Sequence, residues 1–344
     1  MRFLKSLVLL LALSAIGAGV IGYRAYTLAL EPFRGYAEDE VFFTVERGAT
    51  GTRIGEALEE RGIVRDRRLF VLALRVGADG RTVQAGEYRF AEPLSTFDVL
   101  EKLVSGDTFT FAVTIPEGLT LVETAELLAE RGLSENSAIR TAFEESGIVA
   151  DLDPFAPNLE GYLYPTTYRF ARSVSPDELS RTLVGQFRRI FSEERREAAR
   201  KLGLTPRQVV TLASVVEKET GLPEERPLIA SVFWNRLRIG MPLQSDPTII
   251  YALELAGRFD GNLRRTDLEI DSPYNTYRFP GLPPGPIASP GEASIRAVLE
   301  PRDTTYLYFV SRNDGSHHFS GSYSEHLNAV RKYQVEYFRR RRPQ

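Results

Sequence analysis

The chain contains no cysteine. Disulfides, thiolate metal sites, cysteine nucleophiles and lipid attachment through a cysteine are therefore excluded. Charge of one sign is lacking too: 43 Lys and Arg stand against 46 Asp and Glu, a formal net charge of -3. No global basic field exists to hold a nucleic-acid backbone, so nucleic acid is not an expected partner. Histidine is scarce, and His317, His318 and His326 crowd near the C-terminus with no HExxH pattern, so no metal is expected. GxSxG is absent as well, which removes the best-marked serine nucleophile, and nothing in the sequence calls for a cofactor.

What is present is an ordinary globular balance, 43% hydrophobic and 26% charged, in 344 residues, more than one typical domain needs. Arg2 and Lys5 precede an uncharged run from Ser6 to Tyr23, SLVLLLALSAIGAGVIGY. About 18 apolar residues is the shortest stretch that crosses a bilayer, and the basic flank predicts a cytoplasmic N-terminus. The expectation is a single-pass membrane anchor within residues 1–30, with the lipid bilayer as a partner and everything after Arg24 facing outward. A cleaved signal peptide is the competing reading, since small residues lie between Ala15 and Gly19.

From Asp39 to about Leu103 the pattern reads strand, helix, helix, strand, helix. Phe42-Phe43-Thr44-Val45 is β-branched and aromatic, Thr52 can cap a helix that Gly62 ends, and Asp66 opens a second. Gly86-Glu87-Tyr88-Arg89-Phe90 reads as a strand and Ser95-Thr96-Phe97-Asp98 as a helix start. Slid by about 70 residues, Thr44 to Thr50 aligns with Thr114 to Thr120, and Glu60-Arg61-Gly62 with Glu130-Arg131-Gly132, although no closing strand is evident in the second copy. The first copy resembles a LysM module, the peptidoglycan-binding βααβ fold; a spacer without sugar affinity is the plainer alternative. Asn158 to Phe170 gathers aromatic residues around Glu160, a composition that suits sugar rings and plain core alike. Ser175 to Leu202 reads as one long amphipathic helix.

Thr205 and Pro206 mark the start of a helix, TPRQVVTLASVVEKETG, that stops before Gly221. Val209, Leu212, Ala213 and Val216 share its apolar arc. Glu217 and Glu219 fall on opposite flanks of that arc, about 200° apart. They cannot converge on one bond, so they are not a paired-carboxylate site. Each borders apolar side chains that can raise a carboxyl pKa toward general-acid range, and helical geometry alone does not choose between them. Beyond the helix, proline-held loops carry Gln244, Asp246, Asn275 and Tyr277, a way of fixing polar groups in place.

The "ASVVEKET" helix, "NRLRIGMPLQSDPT", "YNTY" and "GLPPGPIASPG", with "AGEYRF", "EGYLYPTTY" and "YLYFV", resemble the endolytic murein transglycosylases over nearly the whole chain. The resemblance implies an α+β protein: an N-terminal transmembrane helix that crosses the bacterial inner membrane once, a LysM-like domain at 39–112, and a mixed α+β catalytic domain at 113–344 in the periplasm. It implies that Glu219, the second glutamate of "EKET", is the catalytic acid. Glu160, Gln244, Asp246, Asn275 and Tyr277 match motif positions and become cleft candidates, with Glu217 beside them. The implied reaction cuts the β-1,4 bond from N-acetylmuramic acid to N-acetylglucosamine in nascent glycan strands and leaves 1,6-anhydro ends, near the peptidoglycan synthases. A muramidase that uses water, and a glycan-binding scaffold without catalysis, are the alternatives.

Overall fold

The computed structural model describes the backbone of residues 2–341, and side chains from Leu13 to Arg339 except Ala15 and Ala18. Helix and strand are mixed, with three two-stranded sheets among the described residues. The chain divides into two compact units, one comprising Met1–Phe111 with Arg169–Ser173, the other Ala112–Tyr168 with Val174–Gln344.

In the first unit, α1 (Arg2–Leu30) leads to β1 (Val41–Val45), α2 (Gly51–Glu60), α3 (Arg67–Gly77), β2 (Gly86–Phe90) and α4 (Thr96–Ser105). The expected anchor requires correction. Among the described residues no helix is long and apolar enough to cross a membrane. The described side chains of α1 begin at Leu13 and meet Ser14, three glycines, Tyr23 and Arg24 within a dozen residues, short of the roughly 20 apolar residues a crossing needs. The earlier half of the expected span, Ser6 to Ala12, has side chains outside the described residues. The single-pass inner-membrane placement is corrected with it.

The strand-helix-helix-strand-helix reading matches the observed order. β1 and β2 pair antiparallel, Val41 opposite Phe90 and Val45 opposite Gly86. Alternation then sends Phe43, Val45, Tyr88 and Phe90 inward, where they meet Leu58, Phe70 and Leu103 in one core. Thr50, rather than Thr52, caps α2 by accepting from Arg53 N, and Asp66 caps α3.

The chain continues with β3 (Phe111–Thr114), α5 (Leu121–Glu130), α6 (Asn136–Glu144), β4 (Thr167–Phe170) and α7 (Pro176–Ile190). The repeat is therefore complete. Its closing strand is β4, where Tyr168-Arg169-Phe170 repeats Tyr88-Arg89-Phe90, but at an offset of 80 because the link before it is longer. The details recur: the Tyr88 hydroxyl donates to the carbonyl four residues back, as does that of Tyr168, and capping boxes at Ser95 and Ser175 start α4 and α7. The single long helix expected to Leu202 is instead α7 and α8 (Glu193–Lys201), because Phe191 leaves helical geometry and is fully buried.

α9 (Pro206–Glu219) is the helix expected from its Thr205 and Pro206 signals, with Thr205 and Gln208 forming a capping box. Every residue from Val209 to Val216 is buried, since α8, α10 (Arg226–Arg238), α11 (Asp246–Leu255) and α12 (Glu292–Leu299) all pack against it. An antiparallel hairpin, β5 (Tyr308–Ser311) and β6 (His317–Ser320), and α13 (Tyr323–Val330) follow.

Candidate active site

α9 ends at Glu219, and the chain turns to extended geometry at Thr220. The Glu219 side chain thus leaves a helix held on every side by packing. Its Oε1 accepts a hydrogen bond from the Ser245 hydroxyl. Burial pushes its pKa up to about 7; the Ser245 bond opposes that rise, the Asp246 charge adds to it, and Arg236 opposes it. The group is therefore poised between acid and base at neutral pH.

Ser245 is held in turn. Its N–H donates to Thr276 Oγ1 at 3.0 Å, and its carbonyl accepts from Thr248 Oγ1 at 2.7 Å. The residue before it, Gln244, takes a left-handed φ of 50°, uncommon for a side-chain-bearing residue, while its N–H donates to Thr276 O at 3.1 Å. The Gln244 side chain is solvent-exposed. Asp246, the first residue of α11, is also exposed and accepts from the Tyr277 hydroxyl at 2.6 Å. Burial, then that bond, pushes the Tyr277 pKa up, so it stays a donor.

Beneath these groups Arg236 is 7% exposed. Its guanidinium donates to Leu307 O at 2.7 Å and Leu243 O at 2.6 Å, and it lies 5.5 Å from the Tyr308 ring centre. Among the described residues no carboxylate pairs with it directly, and its charge is felt at Glu219.

Three expected residues lie elsewhere. Glu217 points into the scaffold: Oε1 accepts from Arg226 at 2.6 Å, and Oε2 accepts from Gly291 N at 3.0 Å and from the Ser294 hydroxyl at 2.7 Å. It fastens the start of α12 to α9 and is not available to a substrate. Asn275 is wholly buried, donating to Leu268 O and Ile270 O and accepting from the N–H groups of Tyr277 and Arg278. All its hydrogen-bonding capacity is used in shaping the turn that presents Tyr277. Glu160 is buried, with both carboxyl oxygens 3.1 Å from Leu121 N at the start of α5 and Oε2 3.3 Å from the Tyr251 hydroxyl. Burial pushes its pKa to about 8, with the Leu121 N–H the main opposing influence. Its neighbours Tyr162, Leu163 and Tyr164 are buried as well, so the aromatic segment is core rather than a sugar platform.

The structure therefore gathers Glu219, Gln244, Asp246 and Tyr277, and sets Glu217, Asn275 and Glu160 into the framework. Sequence reasoning missed Ser245 and Arg236. Both stand in the segment already singled out by its Pro-flanked loop, but only the tertiary contact gives either a role.

The profile of the YceG-like family matches residues 43–332. The chain belongs to that family. Among its relatives, the endolytic murein transglycosylase of Bacillus subtilis (strain 168) is 32% identical over 321 residues, covering 88% of each chain. The endolytic murein transglycosylase of Streptococcus pneumoniae serotype 2 (strain D39) is 30% identical over 94% of this chain and 64% of its own. A crystal structure of a YceG-like protein from Listeria monocytogenes superposes with a TM-score of 0.57 at 30% identity, covering 84% of this chain and 98% of the other. The YceG-like match begins at Phe43 and so takes in both repeated modules as well as the Glu219 cluster.

Proposed function

We propose that this chain is an endolytic murein transglycosylase that cuts the β-1,4 bond between N-acetylmuramic acid and N-acetylglucosamine with Glu219 as its acid and base. The observation that carries the reading is Glu219 itself, at the end of a packed helix with its pKa raised to about 7. Protonated, it gives its proton to the leaving oxygen. A retaining hydrolase needs a second carboxylate about 5 Å from the first, and Glu217 is tied to Arg226, Gly291 and Ser294. The substrate's 2-acetamido oxygen takes that part, stabilising the anomeric carbon as in substrate-assisted glycosidases. Glu219, now anionic and near Arg236, removes the proton from the 6-hydroxyl as that oxygen bonds to the anomeric carbon. The product is a 1,6-anhydro sugar, and no water is consumed.

Gln244 and Tyr277 are the positions offered to the substrate's hydroxyl and acetamido groups, and fixed orientation of this kind is worth several kcal/mol. In this reading residues 113–344 carry catalysis, while 39–112, with its βααβ order, is a LysM-like unit that holds the strand. Enzymes that polymerise the same strands are the expected neighbours.

One observation favours a second reading. Asp246 is a solvent-exposed carboxylate, bonded to the Tyr277 hydroxyl and close enough to raise the Glu219 pKa, and in a muramidase it would activate water. Mass spectrometry of fragments released from purified peptidoglycan by the full chain separates the two. Anhydro ends that vanish in Glu219→Gln support transglycosylation, and products heavier by one water make it a hydrolase. Release of neither by the wild-type chain rejects catalysis in favour of a binding scaffold.

A further inference from the structure

Ser245 occupies the N-cap of α11, a position where a serine hydroxyl ordinarily accepts from the second or third N–H of the helix. Here it makes no such bond. Thr50, Ser95, Thr120, Ser175, Thr205 and Ser322 cap in the ordinary way. Ser192 at the start of α8 makes no capping bond either, so what distinguishes Ser245 is where its hydroxyl goes. The hydroxyl is turned instead onto Glu219 Oε1, and three further features hold it there. The preceding Gln244 is in left-handed geometry, the Ser245 N–H is fixed by Thr276 Oγ1, and Thr276 Oγ1 lies 2.8 Å from Thr248 Oγ1, which anchors the Ser245 carbonyl. Local rules broken together at one point, with the surroundings built to keep them broken, mark a functional placement.

We infer that Ser245 is the positioning residue of Glu219: by donating to Oε1 it reserves Oε2 as the one oxygen that gives the proton to the glycosidic bond and takes it back from the 6-hydroxyl. The inference rests on the reading of Glu219 as acid and base. A carboxylic acid has two equivalent oxygens, and one bonded as an acceptor to a fixed donor is the poorer place for the proton. Oε2 therefore carries it. The same donor steadies the carboxylate after the first transfer, so the base formed is held in line for the second. The other charged or titratable groups facing Glu219 are Arg236 from α10, Asp246 at the start of α11 and Tyr277 from the following loop. Their influence is unchanged when only Ser245 is altered.

The test measures anhydro-end release from purified peptidoglycan across pH with the full chain, comparing wild type, Ser245→Ala, Ser245→Gly, Ser245→Thr and Glu219→Gln. Glycine is a good N-cap and keeps the helix start if alanine disturbs it. Ser245→Ala and Ser245→Gly should lose roughly 10–100-fold in kcat with KM within about twofold, the scale on which one misdirected proton transfer acts. Their activity should also persist to higher pH than that of the wild type, because the bond that favours the ionised acid is gone. Ser245→Thr, which restores the hydroxyl, should recover most of kcat and the wild-type pH limit. A wild-type pH limit in both hydroxyl-free variants, or a loss that threonine leaves unrepaired, overturns the inference while an inactive Glu219→Gln leaves the acid assignment standing. An active Glu219→Gln removes the acid assignment and this inference together.

Discussion

Replacing Glu217 by glutamine should weaken the fold and spare the chemistry, the reverse of what Glu219→Gln should do. The Glu217 side chain is 5% exposed and that of Arg226 8%, so the pair sits out of water. Breaking a buried ion pair from one side costs about 3–5 kcal/mol, because the remaining charge is left without its counter-ion. Two features reduce this. Arg226 keeps Glu117 at 3.1 Å, although that acid is 44% exposed, and glutamine's oxygen can still accept from Gly291 N or the Ser294 hydroxyl. Arg226 Nε, by contrast, is buried without a partner, which makes the arginine more dependent on the charge it loses. The expected net cost is about 2–4 kcal/mol. For a unit of this size each kcal/mol shifts Tm by roughly 2–4 °C, so the midpoint should fall by about 4–16 °C. Calorimetry or far-UV circular dichroism gives the midpoint. Anhydro-end release well below it should stay within about threefold of wild type, against a loss of about 100-fold or more for Glu219→Gln. A Glu217→Gln midpoint within about 1 °C of wild type, or an activity loss as deep as that of Glu219→Gln, refutes the division of labour between the two acids.

Glu219→Gln should itself show a pH signature in stability. A carboxyl raised from its ordinary value to about 7 binds its proton more tightly folded than unfolded, so stability falls as pH rises through that window and levels off above it. Denaturant titrations should find variant and wild type alike near pH 4 and the variant more stable near pH 8, by at most about 3 kcal/mol; equal stability at both contradicts the buried acid. Gly161→Ala should destabilise by about 2–5 kcal/mol, since φ is 83° and a Cβ there would lie 2.5 Å from Pro286 Cβ and 2.9 Å from Val210 Cγ1. An unchanged melting midpoint would show that this approach is not tight. Asn275→Ala should cost about 2–4 kcal/mol and leave KM for glycan strands within about twofold per folded molecule; a KM rise without a loss of stability would restore Asn275 to the substrate.

Local signals were legible wherever neighbouring residues decide the outcome. Thr205 and Pro206, Gly62, Asp66 and Ser95 mark element ends through backbone hydrogen bonds to residues three or four away, and the structure keeps those boundaries. Two helices were read as one at Phe191 because the break is made by burial of that ring, a tertiary event with no local signature. β4 went unread because its YRF sequence was compared at the wrong offset. The two acids of α9 were known to lie on opposite flanks, but which flank faces the framework depends on Arg226, Gly291 and Ser294, up to 77 residues further along the chain. Asn275 and Glu160 share the motif density of the candidate site, yet their partners are backbone groups and, for Glu160, the Tyr251 hydroxyl as well. Composition cannot distinguish an amide that holds a sugar from one that holds a turn.

The longer link in the second module has a consequence for local unfolding. Glu160 lies within it and returns to Leu121, the first residue of α5, so it clasps a loop to the helix of its own module across a separation of 39 residues. The next residue, Gly161, is wedged against Pro286 and against Val210 of α9. A stretch that follows the chain like an insertion is thereby joined to the core at its base, while its tip, with Phe155 83% exposed, is left outside. Amide exchange should divide along that line. Protons around Leu159 to Tyr162 should open only with α9, in the slow class set by global unfolding, and those near Phe155 should exchange as a surface loop does.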